Sequence, residues 1–321
     1  HFLDHPKIDF LGKRKITAIV SISLIILSFA TVIYRGPTNI LGVDFTGGTV
    51  VVLDYSKRVP QEKVSKVLAD AGYNSRVTYK TSALSKEDTK KMEILLRESK
   101  TNKEGNKAVG TDIVKLLNSE YADAKYKVSM ETTLGGLIGW EFSKSAMIAM
   151  GLALLGIVIY ISFRFEFAYA IASIIALMHD VIIATGILLL FDAEISLPVI
   201  AALLTIIGYS LNDTIVVFDR IREDLGLVKG KTYRQIINMS INQTLSRTIL
   251  TSLTTLLVLL VLFFFGGIAV NDFVFVMLIG VIVGTYSSVF VASTVLLWLG
   301  VKRDWSKPDN TTGNQFAKID A

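Results

Sequence analysis

"GYSLNDTIVVFDRIRE", residues 208–223, follows the apolar run "LPVIAALLTII" (197–207) with no turn residue between them. A helix continuing through both sets Asn212 and Asp213 inside a stretch otherwise fit for hydrocarbon. There a carboxylate costs about 2.5–3.5 kcal/mol on insertion scales. Composition decides that the setting is a membrane. The 321 residues are 51% hydrophobic, their mean hydropathy is +0.52, and 19% are charged, against ~25% for a soluble globular chain. A net charge of +5 invites a nucleic-acid reading. The basic residues flank apolar runs instead, which is the pattern of membrane topology, and no nucleic-acid partner is expected. Cysteine is absent, which excludes disulfides and thiolate metal sites.

A bilayer core takes about 20 apolar residues per helix, and six segments qualify, at 16–34, 144–163, 167–191, 197–218, 247–267 and 273–300. The first follows "GKRK" (12–15) as a signal peptide would. Its apolar core is too long, however, and "YRGPTN" (34–39) stands where small cleavage-site residues belong, so it reads as a retained anchor. Lys13, Arg14 and Lys15, then Arg164, then Arg220, Arg222, Lys229, Lys231 and Arg234, and finally Lys302 and Arg303 occupy alternate connections. The intervening ones hold Asp192, Glu194 and Asp272. The basic side is cytoplasmic, so residues 1–15 and the polar tail 301–321, which reads as disordered, are both cytoplasmic, and 35–143 lies outside.

Within that outer segment the pattern changes. "TVVVLDY" (49–55) reads as a strand, then a helix from Pro60 to Gly72, strands "SRVTYK" (75–80) and "MEILLRE" (92–98), a helical face of Ile113, Leu116, Leu117 and Tyr121, and a last strand "KYKVSME" (125–131). The order β-α-β-β-α-β predicts an α+β ferredoxin-like domain, placed between helices 1 and 2 of a six-helix membrane protein. Its topology alone assigns no activity, and no catalytic constellation falls within it.

Polar residues inside the spans carry the functional argument. Thr205, Tyr209, Asn212, Asp213 and Val216 share a face of helix 4, with Arg220 extending it; Gln243, Arg247, Thr251 and Thr254 form a matching stripe on helix 5. Helix 3 carries His179 and Asp180, and helix 6 carries Gly280, Gly284, Ser287 and Ser288. The small and hydroxyl residues read as close-packing surface. Asp219, Arg222 and Glu223 read as solvated helix-end charges, and His179 as a packing histidine donating to a neighbouring carbonyl. One histidine and one adjacent aspartate cannot make a zinc ligand set, so no metal and no cofactor is expected. Asp213 and Arg247 have two readings: a buried structural ion pair, often replaceable by apolar residues, or a proton relay, the default for an ionisable group in a span. A carboxylate whose distance to an arginine alternates binds its proton alternately too. Arg247 stands near the expected start of helix 5, where its side chain can snorkel.

These residues also carry a resemblance. "GVDFTGGT" (42–49), "RFEFAYAIASIIALMHD" (164–180), "AALLTIIGYSLNDTIVVFDRIRE" (201–223), "NQTLSRTILTSLTTLLV" (242–258) and "IGVIVGTYSSVFVAS" (279–293) together resemble the SecF family, the smaller half of the SecDF complex of bacterial protein export and part of the resistance–nodulation–division superfamily. The resemblance implies pairing with SecD, separate or fused, into a twelve-helix unit in the inner membrane. That unit would use the proton-motive force to assist SecA-driven preprotein through SecYEG, with YajC-type and YidC-type subunits as further neighbours and membrane lipid around it. It implies a proton relay at Asp213 and Arg247 with Asp180 beside it. His179, Asn212, Tyr209 and Thr251 would support the relay, and Asp44, Gly47 and Gly48 would form a junction motif at the membrane surface. The chain would not be an enzyme: it has no nucleotide-binding loop and no nucleophile–base pair. Two alternatives stay open, a scaffold subunit whose ion pair serves stability only, and half of a small-molecule or lipid exporter of the same superfamily. The small outer domain argues against the exporter.

Overall fold

The computed structural model describes residues 8–80, 90–96, 109–134, 136–266 and 268–300; the expected tail at 301–321 lies outside them. The elements run α1 (Arg14–Arg35), α2 (Pro37–Ile40), α3 (Val43–Thr46), β1 (Gly48–Asp54), α4 (Gln61–Asp70), β2 (Ser75–Lys80), β3 (Lys91–Leu96), α5 (Val109–Glu120) and β4 (Lys127–Leu134). After these come α6 (Gly136–Arg164), α7 (Phe167–Leu190), α8 (Leu197–Leu227), α9 (Tyr233–Phe265), α10 (Ile268–Ser287) and α11 (Ser293–Leu299). A π-helical turn, Ser288–Ala292, joins the last two.

Among the described residues six helices are long and apolar enough to cross a membrane: α1, α6, α7, α8, α9 and the continuous α10–α11. Helix α9 begins well before the expected 247. Thr232 caps it, its hydroxyl accepting from the Gln235 amide while the Gln235 side chain accepts from the Thr232 amide, a reciprocal box that fixes a helix start. Hydropathy finds only the apolar part of such a helix. Arg247 therefore stands ~21 Å along α9 from Tyr233 at ~1.5 Å per residue, not at its beginning.

Helices α7, α8 and α10 form the centre and α6 the margin: 56% of the apolar windows of α7 and α10–α11 is buried, against 6% for α6. Two apolar clusters fill the bundle. One gathers Tyr169, Phe218, Ile221, Ile237, Ala292 and Leu296; the other gathers Ala184, Leu203, Ile206, Leu259, Val276 and Val281. Between the two clusters each of these helices contributes buried polar residues: Asp180 on α7, Ser210 and Asp213 on α8, Thr248 and Ser252 on α9, Ser287 on α10. Small residues let the helices close around this layer. A methyl group on Gly280 would strike Ile206, one on Gly284 would come within 3.0 Å of Ser210 Cβ, and one on Gly186 would strike Ser28 of α1. The close-packing reading of Gly280 and Gly284 is what the geometry gives.

The strands form one antiparallel sheet in the order β2-β3-β1-β4, with α4 and α5 packed over Val51, Leu53, Val77, Met92 and Ile94. Strand β4 starts at Lys127 rather than 125, because Lys125 takes a left-handed φ of 48° and turns Tyr126 into the core. Burial there pushes the Tyr126 phenol above the ordinary tyrosine range.

Candidate functional site

The polar layer holds two carboxyls in unlike settings. Asp180 is fully buried and saturated with partners. Its Oδ1 lies 2.9 Å from His179 Nδ1, and its Oδ2 accepts from Ser210 Oγ at 2.5 Å and Ser287 Oγ at 2.7 Å. His179 Nε2 lies 3.0 Å from Ser21 Oγ, Ser21 Oγ lies 3.1 Å from Tyr286 OH, and Tyr286 OH donates to Thr17 O at 2.8 Å. The partners of His179 are thus two side chains, not the carbonyl expected. The network ties α1, α7, α8 and α10 together.

Asp213 is also buried, yet its Oδ2 has no hydrogen-bond partner. Ser252 of α9 lies beside the carboxyl. That hydroxyl is 2.6 Å from Thr285 Oγ1, which itself donates to Val281 O at 2.7 Å. With the Thr285 proton committed, Ser252 donates to Thr285 and turns lone pairs to its other neighbours. Tyr209 OH donates to Ser252 Oγ at 3.5 Å, so Tyr209 reaches the site through one hydroxyl.

Among the described residues no ion pair joins Asp213 to Arg247, so the structural pair allowed by the sequence is not formed. The reason is helical phase: five residues at ~100° each put Arg247 ~140° around α9 from Ser252. Arg247 is exposed and lines an open cleft of about 1030 Å³ between α6, α8 and α9 with Arg164, Asp219, Arg220 and Glu223. Val216, one turn beyond Asp213, lines the same cleft. Asn212 is exposed and faces away from the layer. Thr251 spends its hydroxyl on Arg247 O and Thr248 O of its own helix and supports nothing beyond it.

The helix-end charges follow the solvated reading with small additions. Asp219 pairs with Arg164 at 3.2 Å, and Glu223 with Arg220 at 2.7 Å. The sequence reading passed over Asp224, which is buried and accepts from Ser240 of α9 at 2.7 Å while Arg220 stands 3.3 Å away. Its position one turn past Arg220 was the available signal. Ser21, Ser210 and Ser252 were missed for a different reason: a lone serine in an apolar run has no distinguishing pattern until its neighbours are known.

Asp44 acts at a distance from the polar layer. Its Oδ2 accepts from the Leu197 amide at 2.8 Å, the first turn of α8, whose own N-cap Ser196 gives no side-chain bond. The carboxylate thus caps α8 from another part of the chain. Gly42 N donates to Ile195 O at 2.9 Å and Ile195 N to Ile40 O at 2.8 Å, which seats the junction on the α7–α8 loop. Gly47 and Gly48 have φ of 72° and 135°, and a methyl group on Gly48 would strike Leu96 O; only glycine fits there. Arg76 of β2 grips the same loop, donating to Glu194 Oε1 at 2.8 Å, to Asp192 O at 2.8 Å and to the Asp192 carboxylate. Arg35 donates to Leu189 O and Ala193 O at 2.8 and 2.7 Å. Among the described residues no group of His, Asp and Glu could hold a metal ion.

Comparison with known proteins places this geometry. Residues 113–302 match the family described as protein export membrane protein SecD/SecF, C-terminal, and residues 41–57, which include Asp44, Gly47 and Gly48, match the SecD/SecF GG motif. The protein translocase subunit SecF of Thermodesulfovibrio yellowstonii is 43% identical over 93% of this chain and 96% of its own length. That of Helicobacter pylori strain 26695 is 37% identical over 92% and 88%. The crystal structure of SecDF, a translocon-associated membrane protein from Thermus thermophilus, superposes with a TM-score of 0.80 at 35% identity, covering 93% of this chain. This chain spans 39% of that one. On sequence and on fold, the chain belongs to the SecF family of membrane-embedded protein translocase subunits.

Proposed function

We propose that the chain is the smaller half of a proton-driven export machine in the bacterial inner membrane. Both termini are cytoplasmic, and the β-α-β-β-α-β unit, ferredoxin-like in strand order, stands on the outer side. It works with SecD beside the SecYEG translocon that SecA feeds with preprotein. One charge falling through ~100 mV releases ~2.3 kcal/mol, and Asp213 is the group that carries it. In the arrangement described, Ser252 beside Asp213 spends its proton on Thr285, and among the described residues no cation is bonded to the carboxyl. Release calls for a cation. Arg247, on the next helix and open to the cleft, supplies one when α8 and α9 shift against each other. The cleft gives the proton a wet route on one side of the bilayer, and a carboxylate of the SecD half completes the path on the other.

The observation that carries this reading is the unpartnered Oδ2 of Asp213. A buried polar atom without a partner costs about 1–3 kcal/mol, a cost proteins keep where a group must change state. A passive scaffold would call for a closed ion pair, and none joins Asp213 to Arg247. The test is Asp213→Asn, which preserves volume and loses titration. Its expected outcome is that stimulation of preprotein export by a proton gradient falls to the level without a gradient, while assembly with SecD is unchanged. Full stimulation in that variant would remove the relay; failure to assemble would make the carboxyl structural.

A further inference from the structure

The second carboxyl of the layer can be assigned by counting protons. A backbone carbonyl only accepts, so Tyr286 OH donates to Thr17 O at 2.8 Å. With its one proton committed, Tyr286 accepts from Ser21 at 3.1 Å, and Ser21, likewise committed, accepts from His179 Nε2 at 3.0 Å. His179 therefore bears its proton on Nε2. The 2.9 Å contact between His179 Nδ1 and Asp180 Oδ1 needs one further proton between two lone pairs. Whichever atom carries it, the pair is neutral overall. The side chains hydrogen-bonded to the pair are Ser21 of α1, Ser210 of α8 and Ser287 of α10, with Tyr286 of α10 stacked on the imidazole; of these only Tyr286 is an ionisable residue type.

This network is closed. One end stops at the Thr17 carbonyl, which cannot pass a proton on, and the other at two serine donors. Each oxygen of Asp180 has a partner, in contrast to Asp213. The contacts also fix α8 mechanically. Ser210 lies against Gly284 of α10, where an added methyl group would come within 3.0 Å of its Cβ, and its carbonyl accepts from Thr214 at 3.0 Å, so the turn that bears Asp213 begins at the residue Asp180 holds. The π turn of α10 starts directly after Ser287, a departure from α geometry of the kind found at functional sites.

We propose that Asp180 is a positioning residue: sharing one standing proton with His179, it pins Ser210 and Ser287 and so sets how α8 presents Asp213, without itself transferring protons. The proposal rests on the relay reading of Asp213. It separates Asp180 from that relay, beside which the family resemblance sets it.

Asparagine provides the test. Its Nδ2 can donate to Nδ1 of neutral His179, and its Oδ1 can accept from Ser210 and Ser287. Asp180→Asn therefore keeps each hydrogen bond of the carboxyl while removing any proton to exchange. Alanine leaves His179 Nδ1 and Ser210 without the partner each has now. The experiment uses the full chain assembled with its six-helix partner in proteoliposomes, read by pH-difference infrared spectra of protonated carboxyls and by gradient-driven export. Asp213→Asn is expected to remove a titrating carboxyl band. Asp180→Asn is expected to leave that band's midpoint in place and export within about twofold of the parent. Asp180→Ala is expected to move the midpoint by about one pH unit or more, a tenfold change in proton affinity. Should the alanine variant not assemble, Ser210→Ala takes its place, with a smaller shift expected.

Loss of export, or of a carboxyl band of its own, in Asp180→Asn would overturn the proposal while leaving Asp213 as the relay. Unshifted midpoints in Asp180→Ala or its substitute would overturn it as well. A spectrum unchanged by Asp213→Asn would remove the relay reading, and this proposal with it.

Discussion

Asp180 and Asp213 are buried in the same layer, and what separates them is how many donors each carboxyl meets. Asp180 meets two hydroxyls and an imidazole; Asp213 has an oxygen that meets none. The residue types were legible in the sequence, since an aspartate amid leucine and isoleucine is conspicuous at any spacing. The difference between them was not, because it depends on serines contributed by three other helices. Asp44 is a third case, a junction residue whose motif was visible and whose work was not. It caps α8 across 153 positions of chain, which no local pattern encodes. Asp44→Ala is expected to cost about 1 kcal/mol, the usual worth of an N-cap. It should be seen as faster amide hydrogen exchange over the first turn of α8, with the rest of α8 unchanged.

At the level of elements, α8 is held at three heights: by Asp44 at its start, by Asp180 at Ser210, and through Asp224 to Ser240 of α9 near its end. A helix fixed so often transmits displacement along its length. The apolar cores of α7 and α10 were readable from hydropathy because those helices are apolar nearly throughout, and that of α8 because its first three turns, 197–207, are. The start of α9 was not, since the turns before Arg247 are polar and only the Thr232–Gln235 capping box marks them. The strands of the sheet were found to within one or two residues at their starts, as their β-branched alternation is local. The grip of Arg76 on the α7–α8 loop was invisible, because it depends on how that sheet docks. Arg76→Gln is expected to leave the sheet folded and to raise hydrogen exchange over 192–197 about fivefold. That matches the ~1 kcal/mol of a partly exposed ion pair; unchanged exchange there would show that the grip contributes nothing.

On the scale of the whole molecule, one surface is unfinished. Ala201, Thr205, Gly208 and Asn212 form an exposed stripe along α8, small and polar where a lipid-facing helix would carry leucine. Such stripes are how helices meet in membranes, and this one fits the proposed SecD half. A side chain at Gly208 would meet nothing within 4 Å in this chain. Gly208→Leu is thus expected to leave the six-helix fold intact and to abolish co-purification with SecD; retained association would move the interface elsewhere.

The four-stranded sheet, finally, is hung along a single side. The strand that enters it and the strand that leaves it meet where Gly48 pairs with Leu134, and Gly139 lies so near Phe45 O that a methyl group would come within 2.8 Å of it. Arg76 sits on β2, the opposite margin. The sheet is built like a door leaf, with its pivot at the glycines and its bolt at the arginine. With the bolt drawn, the glycine side is the attachment left to it, and that side is continuous with the carboxylate that closes the first turn of α8.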